Sequence, residues 1–250
     1  MSELIAVYTI WLREVKRYFR AKERLIGSIM QPIFWFLIFG IGLGSSIQFI
    51  GMNINYFSFI SPGIVAMSLL FTSIFSGVSV IWDREFGFLK EILVAPVSRL
   101  SIVIGKALGG ATTATAQGII ILIISILLGA KMSIQSILMM LPMMVVVSLG
   151  FVSLGLIIAS LMDTMEGFQL IMNFLVQPMF FLSGALFPLT TLPEWLRMIT
   201  YIDPMTYAVE ALRYTVMGTS SFSITISLAF VFAFTVVMSV IASWAFSRRK

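Results

Sequence analysis

The chain contains no cysteine and no histidine in 250 residues. Without cysteine there are no disulfides, no thiolate metal sites and no thiol nucleophile. Without histidine the commonest general base and metal ligand is missing. Charge is scarce as well: 11% of residues, against about 25% in an average soluble domain. Between Arg24 and Asp83 there is no charged residue at all. Apolar side chains fill the space, at 59% of the sequence and a mean hydropathy of +1.05. Soluble domains run near 45–50% apolar, and a fold of this length cannot hide such an excess from water. The solvent for most of this surface is lipid.

The uncharged run is too long for one crossing. Its polar break is "FIGMNINYF" (49–57), which reads as a short turn and leaves spans near 26–48 and 58–81. Further apolar runs lie near 102–128, 135–161, 167–187 and 222–246. Each is long enough for a helix across a ~30 Å hydrocarbon core, which takes about 20 residues. The sequence therefore predicts an all-α polytopic membrane protein, a single transmembrane domain over 1–250 with six spans.

Lysine and arginine set the orientation. The termini and the loops on their side carry thirteen basic residues, from Arg13 to Lys250; the other side carries Lys131, Arg197 and Arg213. Both termini are expected in the cytoplasm. No small-residue cleavage site follows the charged N-terminal segment, so no removable signal peptide is expected. Residues 4–24 are amphipathic. Arg13, Arg17, Arg20 and Arg24 share one face of a helical wheel and Leu4, Val7, Trp11, Val15 and Tyr18 the other. Such a helix suits the membrane interface, with its arginines toward anionic headgroups. The net charge of +5 is accounted for by this topology, and no nucleic-acid partner is expected.

"DREFGFLKEILVAPVSR" (83–99) concentrates six charges between two apolar runs. At about 2.5–3.5 kcal/mol per central charge, six would cost roughly 15–20 kcal/mol inside the bilayer, so the stretch lies at or beyond the cytoplasmic surface. Phe86, Phe88, Leu89, Ile92 and Leu93 fall on one helical arc, opposite Lys90 and Glu91. Asp83 and Glu85 suit a helix N-terminus, Pro96 ends the helix, and Ser98 can cap the next span. The apolar face can rest on lipid or dock into a groove on a soluble partner, and periodicity leaves both readings open.

Between the fifth and sixth spans, residues 188–218 read as two short helices. Pro193 opens one, and Asp203-Pro204 caps and opens the other. Glu194 with Arg197, and Glu210 with Arg213, are spaced for ion pairing. The apolar content (Trp195, Leu196, Ile199, Met205, Leu212) favours re-entry into the outer leaflet over a solvated loop. "GIGLGSS" (40–46) lies inside an apolar span without the strand that a nucleotide loop requires, so close helix packing is the better reading; Gly105 and Gly109 read the same way. No G-x-x-x-x-G-K-[ST] occurs, since Gly105-Lys106 is followed by Ala107. Any ATP hydrolysis belongs to another polypeptide. The methionine cluster "LMMLPMM" (138–144) reads first as lipid-facing filler.

"REFGFLKEILVAPVSR" resembles the cytoplasmic motif of the membrane subunits of type-2 ABC exporters, through Arg84, Glu85, Gly87, Leu89, Leu93, Pro96 and Ser98. Residues 167–213 resemble the family's fifth span and following hairpin, through Pro178, Ser183-Gly184, Pro188, Leu192-Pro193, Trp195, Pro204, Tyr207 and Arg213. Asp203 departs from the asparagine usual there. The likeness covers nearly the whole chain and is nearest in flavour to the daunorubicin-resistance drug exporter permeases. It implies a coupling helix over 84–95 that sits in a cleft of a separate ABC ATPase, with Arg84, Glu85, Phe86, Gly87, Leu89, Ile92, Leu93 and Pro96 at the contact. It also implies that the hairpin residues Pro188, Pro193, Trp195, Pro204, Tyr207 and Arg213 help close an external gate. ATP and magnesium would be bound by two copies of the ATPase rather than by this chain. The permease would pair with a second copy, by default as a homodimer, in a prokaryotic inner membrane, and export a drug, lipid or glycan-type substrate. The rival reading is an ion-coupled secondary transporter. Such proteins place charge within their spans, and the runs above are read as essentially free of it. A membrane-embedded enzyme is weaker still, lacking paired intramembrane acids.

Overall fold

A computed structural model describes residues 3–43, 56–87 and 97–248, and among these every regular element is helical. Helix α1 covers Glu3–Arg20 and α2 covers Lys22–Phe36, continuing as a π-turn over Leu37–Leu43. Helices α3 (Tyr56–Ser76) and α4 (Val78–Glu85) form one long rod with a break at Gly77. Helices α5 (Arg99–Leu127) and α6 (Ile134–Leu161) follow. Three short pieces come next: α7 (Met165–Ile171), a π-segment (Met172–Val176) and α8 (Gln177–Leu182). Helices α9 (Glu194–Thr200), α10 (Pro204–Met217) and α11 (Ile224–Arg248) complete the chain.

Local chemistry starts these helices, at Ser98 as the sequence suggests and at two further caps. Ser98 accepts a hydrogen bond from the Ser101 amide at 3.1 Å, Ser133 from Ser136 at 3.0 Å and Thr164 from Gly167 at 3.2 Å. Each satisfies one of the orphan donors of a first helical turn. Five helical stretches are long and apolar enough to cross a membrane: Lys22–Gly42, Tyr56–Glu85, Arg99–Leu127, Ile134–Leu161 and Ile224–Phe246. The expected fifth span of six is not among them. Its pieces of 7, 5 and 6 residues carry Gln169, Asn173, Gln177 and Pro178, and a proline with no N–H favours the wider π-type register just ahead of it.

The rod α3 is the hub, buried along most of its length against α5, α6 and α10, while α2 and α11 lie on the flanks. Where α3 breaks, Gly77 and Gly155 of α6 bring backbone against backbone. A Cβ on Gly155 would fall 2.5 Å from the Ile74 carbonyl oxygen, closer than packed atoms approach. Gly105 and Gly109 fulfil the close-packing reading in the same way, against α1: a Cβ on Gly105 would lie 2.8 Å from that of Ile10. Gly40 is tight against Phe57.

Two boundaries differ from the sequence reading. The 4–24 helix is two helices, because Ala21 leaves helical geometry at ψ 73°; Arg24 therefore belongs to the first candidate span. Asp83, Arg84 and Glu85 do not start a new helix over 84–95. They form the last turn of α4, ahead of a left-handed Gly87 at φ +75°. The rest of that stretch, with Leu89, Ile92, Leu93 and Pro96, lies outside the described residues.

Candidate functional site

Helix α1 runs alongside α5 in the same direction. Glu3 accepts hydrogen bonds from the Ser98 hydroxyl at 2.9 Å and the Ser101 hydroxyl at 2.6 Å, which hold its carboxyl below the usual range. Farther along, the Trp11 indole donates to Thr112 at 3.0 Å and the Tyr18 hydroxyl to Gln117 at 2.9 Å. The buried stripe of α1 is Ala6, Ile10, Glu14 and Tyr18, one residue per turn on one face. This stripe meets protein rather than acyl chains, and it contains an acid.

That acid joins a buried charge cluster. Lys106, inside a candidate span and only 2% exposed, places its Nζ 2.5 Å from Asp83 Oδ2, 3.2 Å from Glu14 Oε1 and 3.2 Å from the Ser79 hydroxyl. Asp83, 3% exposed, also accepts from Arg13 Nη2 at 2.7 Å and faces Arg17 Nη1 at 3.6 Å. Arg17 Nη2 donates to Glu14 at 2.5 Å. The expectation of spans free of charge is corrected at Lys106. The expectation that the arginines of α1 all face headgroups is corrected at Arg13 and Arg17. An unpaired ammonium there would lose its hydration without replacement, and two carboxylates supply the compensation. Arg20 stays exposed.

The cluster grips α4 one residue before Arg84. Arg84 Nη1 donates to the Met162 carbonyl and to Asp163 Oδ1, both at 2.9 Å, and so ties the end of α4 to the α6–α7 turn. Glu85 is exposed and Phe86 is 82% exposed beside Gly87. Of the eight expected coupling residues these four are placed, together, where α4 leaves the bundle.

At the opposite end, the Asp203 side chain accepts from the Met205 amide at 2.9 Å and caps α10, with Pro204 in its first turn. Tyr207 stacks on Phe230, ring centroids 4.0 Å apart, and donates to the Tyr201 carbonyl. Arg213 is buried, paired with Glu210, 2.6 Å from the Gly184 carbonyl and 4.1 Å from the Phe59 ring centroid. Glu210 also accepts from the Ser221 amide. Of the expected hairpin residues, Tyr207 and Arg213 sit in the core, Pro188 and Pro204 are half-buried, and Pro193 and Trp195 lie on the exposed rim. The expected Glu210–Arg213 pair forms.

Between α2, α3 and the broken helix α7–α8 lies a cleft of about 310 Å³. Its walls mix rings and thioethers (Phe71, Phe75, Met67, Met172) with polar groups that include Arg24, Gln31, Thr72 and Asn173. Neither this cleft nor the partners of Lys106 figured in the sequence reading. A lone lysine in an apolar run and a lone glutamate in the stripe of α1 were the available signals.

A bundle of this composition, with five candidate crossings, is a polytopic helical membrane protein. Residues 5–217 match the family of ABC-2 type transporters, and the chain belongs to that family of membrane transport permeases. It is 34% identical over 207 residues to the protein ycf38 of Porphyra purpurea, covering 80% of this chain and 70% of that one. It is 26% identical over 216 residues to the inner membrane transport permease YadH of Escherichia coli (strain K12), covering 86% and 84%. It is 25% identical over 247 residues to nodulation protein J of Rhizobium leguminosarum bv. viciae, covering 96% and 94%.

Proposed function

We propose that this chain is the membrane-spanning subunit of an ATP-driven exporter, coupled to a separate ABC ATPase that binds ATP and magnesium. Two ATPase copies serve two permeases, by default identical, in a prokaryotic inner membrane with both chain termini in the cytoplasm. The observation that carries this reading is the end of α4. The cluster of Asp83, Lys106, Glu14 and Arg13, together with the Arg84 tie to Asp163, joins α1, α4, α5 and the α6–α7 turn next to the segment that resembles a coupling helix. A displacement of that segment reaches three helices at once, as a lever from ATPase to bundle requires.

The pieces over 165–182 act as the sixth crossing. At 1.5 Å per residue they reach about 27 Å, enough for a thinned or tilted path. The α9–α10 hairpin is the external gate. The cleft between α2, α3 and α7–α8 belongs to the route of a hydrophobic or amphipathic substrate of the drug, lipid or glycan type, since it offers apolar rings and neutral polar groups side by side. Exposed Leu4, Ile5 and Tyr8 of α1 reach into the inner leaflet while Lys16 and Arg20 meet headgroups.

Ion-coupled transport would use the buried charges differently, with a carboxylate free to exchange its ion. Both Asp83 and Glu14 are held by cations here. The deciding experiment reconstitutes the permease with its ATPase. Vanadate-sensitive export and hydrolysis stimulated by substrate support the exporter; export that follows an ion gradient and ignores ATP sinks it.

A further inference from the structure

Arg24 sits in the wall of the cleft without a carboxylate. Its Nη2 donates to the Phe75 carbonyl at 3.2 Å, and its guanidinium lies 4.5 Å from the Phe75 ring centroid and 5.9 Å from that of Tyr18. Among the described residues no acid comes within ion-pairing distance of it, and none lines the cleft. Glu14 shares a small neighbouring cavity with Arg24, but one of its oxygens is taken by Lys106 and the other by Arg17. Arg24 is half-buried; the two cations sunk deeper in the bundle, Lys106 and Arg213, each have a carboxylate. A guanidinium carries five donors, and one carbonyl uses one of them. Removing such a group from water costs free energy that an anion restores.

The rest of the cleft tells what the anion is attached to. From Arg24 the walls continue along Phe71, Met67 and Met172, with the Thr72 hydroxyl and the Asn173 amide between them. Charge is confined to the Arg24 end. We propose that the cleft binds an amphipathic anion, its carboxylate or phosphate head on Arg24 and its apolar body against Phe71 and Met67. This rests on the cleft being part of the export route, and the two statements fail separately.

The probe is dansyl-undecanoic acid, titrated into the permease in phosphatidylcholine nanodiscs and read by dansyl fluorescence above that of empty discs; its methyl ester is the neutral control. The acid should bind about tenfold more tightly than the ester, the size of one charge-assisted contact. Arg24→Gln should remove that preference and Arg24→Lys keep most of it. Asn173→Trp, which narrows the cleft but keeps Arg24, should weaken both probes and covers the case in which Arg24→Gln does not fold. Discs containing phosphatidylglycerol separate the sources of the head group. Weaker apparent binding of the acid there identifies the bilayer's own anionic lipid as an occupant, and unchanged binding identifies a cargo. Equal affinity for acid and ester, or a preference that survives Arg24→Gln, overturns the proposal. Export unaffected by Asn173→Trp while the acid preference stands would instead remove the cleft from the route.

Discussion

Lys106 and Asp83 form a salt bridge of 2.5 Å between two candidate spans, with both side chains almost wholly withdrawn from solvent. Removing one partner of such a pair leaves the other buried and undercompensated, a loss on the order of 3 kcal/mol. Lys106→Met should therefore lower the Tm of the detergent-solubilised permease strongly. The double variant Lys106→Met, Glu14→Leu should regain part of the loss, because Glu14 keeps only Arg17 once Lys106 is gone, and its removal frees Arg17 to join Arg13 on Asp83. Strictly additive losses would show that the cluster is not a unit.

The contact of Gly77 with Gly155 has no room for a side chain. Gly77→Leu should cost about 1–3 kcal/mol, the range for overpacking, and loosen α4 against α6. Gly42→Ala is the control: nothing lies within 4 Å of its added methyl, and the Tm should not move. Thermal unfolding of both variants checks this.

At the coupling end, Gly87 holds φ +75° with open space around it. Gly87→Trp adds strain of about 1–2 kcal/mol and a bulky group at the contact proposed for the ATPase. Together with Leu89→Ala and Leu93→Ala it should abolish ATPase stimulation while the permease still inserts at normal levels. Lys90→Ala, which removes a charge on the arc opposite those leucines in the sequence pattern, should be mild. Normal stimulation in the Gly87 and Leu93 variants would reduce the stretch to a surface loop.

Asp203 makes the hairpin sensitive to pH. Burial pushes its carboxyl up to about 7, against hydrogen bonds from Met205 and Thr206 that favour the charged form. The folded protein keeps this proton where an unfolded chain releases it near pH 3.9. Stability from this group is therefore greatest at low pH, falls as pH rises from about 4 to about 7, and is level above that. Asp203→Asn keeps the cap acceptor and removes the titration. Its Tm should fall less than that of the parent between roughly pH 5 and pH 8. Parallel curves would place the titration elsewhere.

Much of this bundle was legible because lipid makes hydropathy nearly sufficient: the five candidate crossings lie within a few residues of runs read from composition. Caps at Ser98 and Asp203 were legible because capping chemistry is local. The fifth run was harder, since Gln169, Asn173 and Gln177 dilute it and the backbone answers with π geometry. The Arg13–Asp83 and Lys106–Glu14 pairs were not legible. Their partners lie 70 and 92 residues apart, and a wheel drawn for residues 4–24 alone cannot show that Glu14 belongs on the inner face. Arg24 was misassigned for the same reason, because nothing in its neighbours marks Ala21 as a break.

The separation of 92 positions from Glu14 to Lys106 also sets an order of events during synthesis. Helix α1 leaves the ribosome before α4 and α5, yet the groove that receives it is complete only when α4 and the glycines of α5 have followed. Until then the arginines of α1 have neither Asp83 nor a finished bundle to hold, and the helix must wait at the membrane surface. It is made ahead of its groove and docked late, and a chain interrupted before Lys106 leaves α1 with nowhere to go.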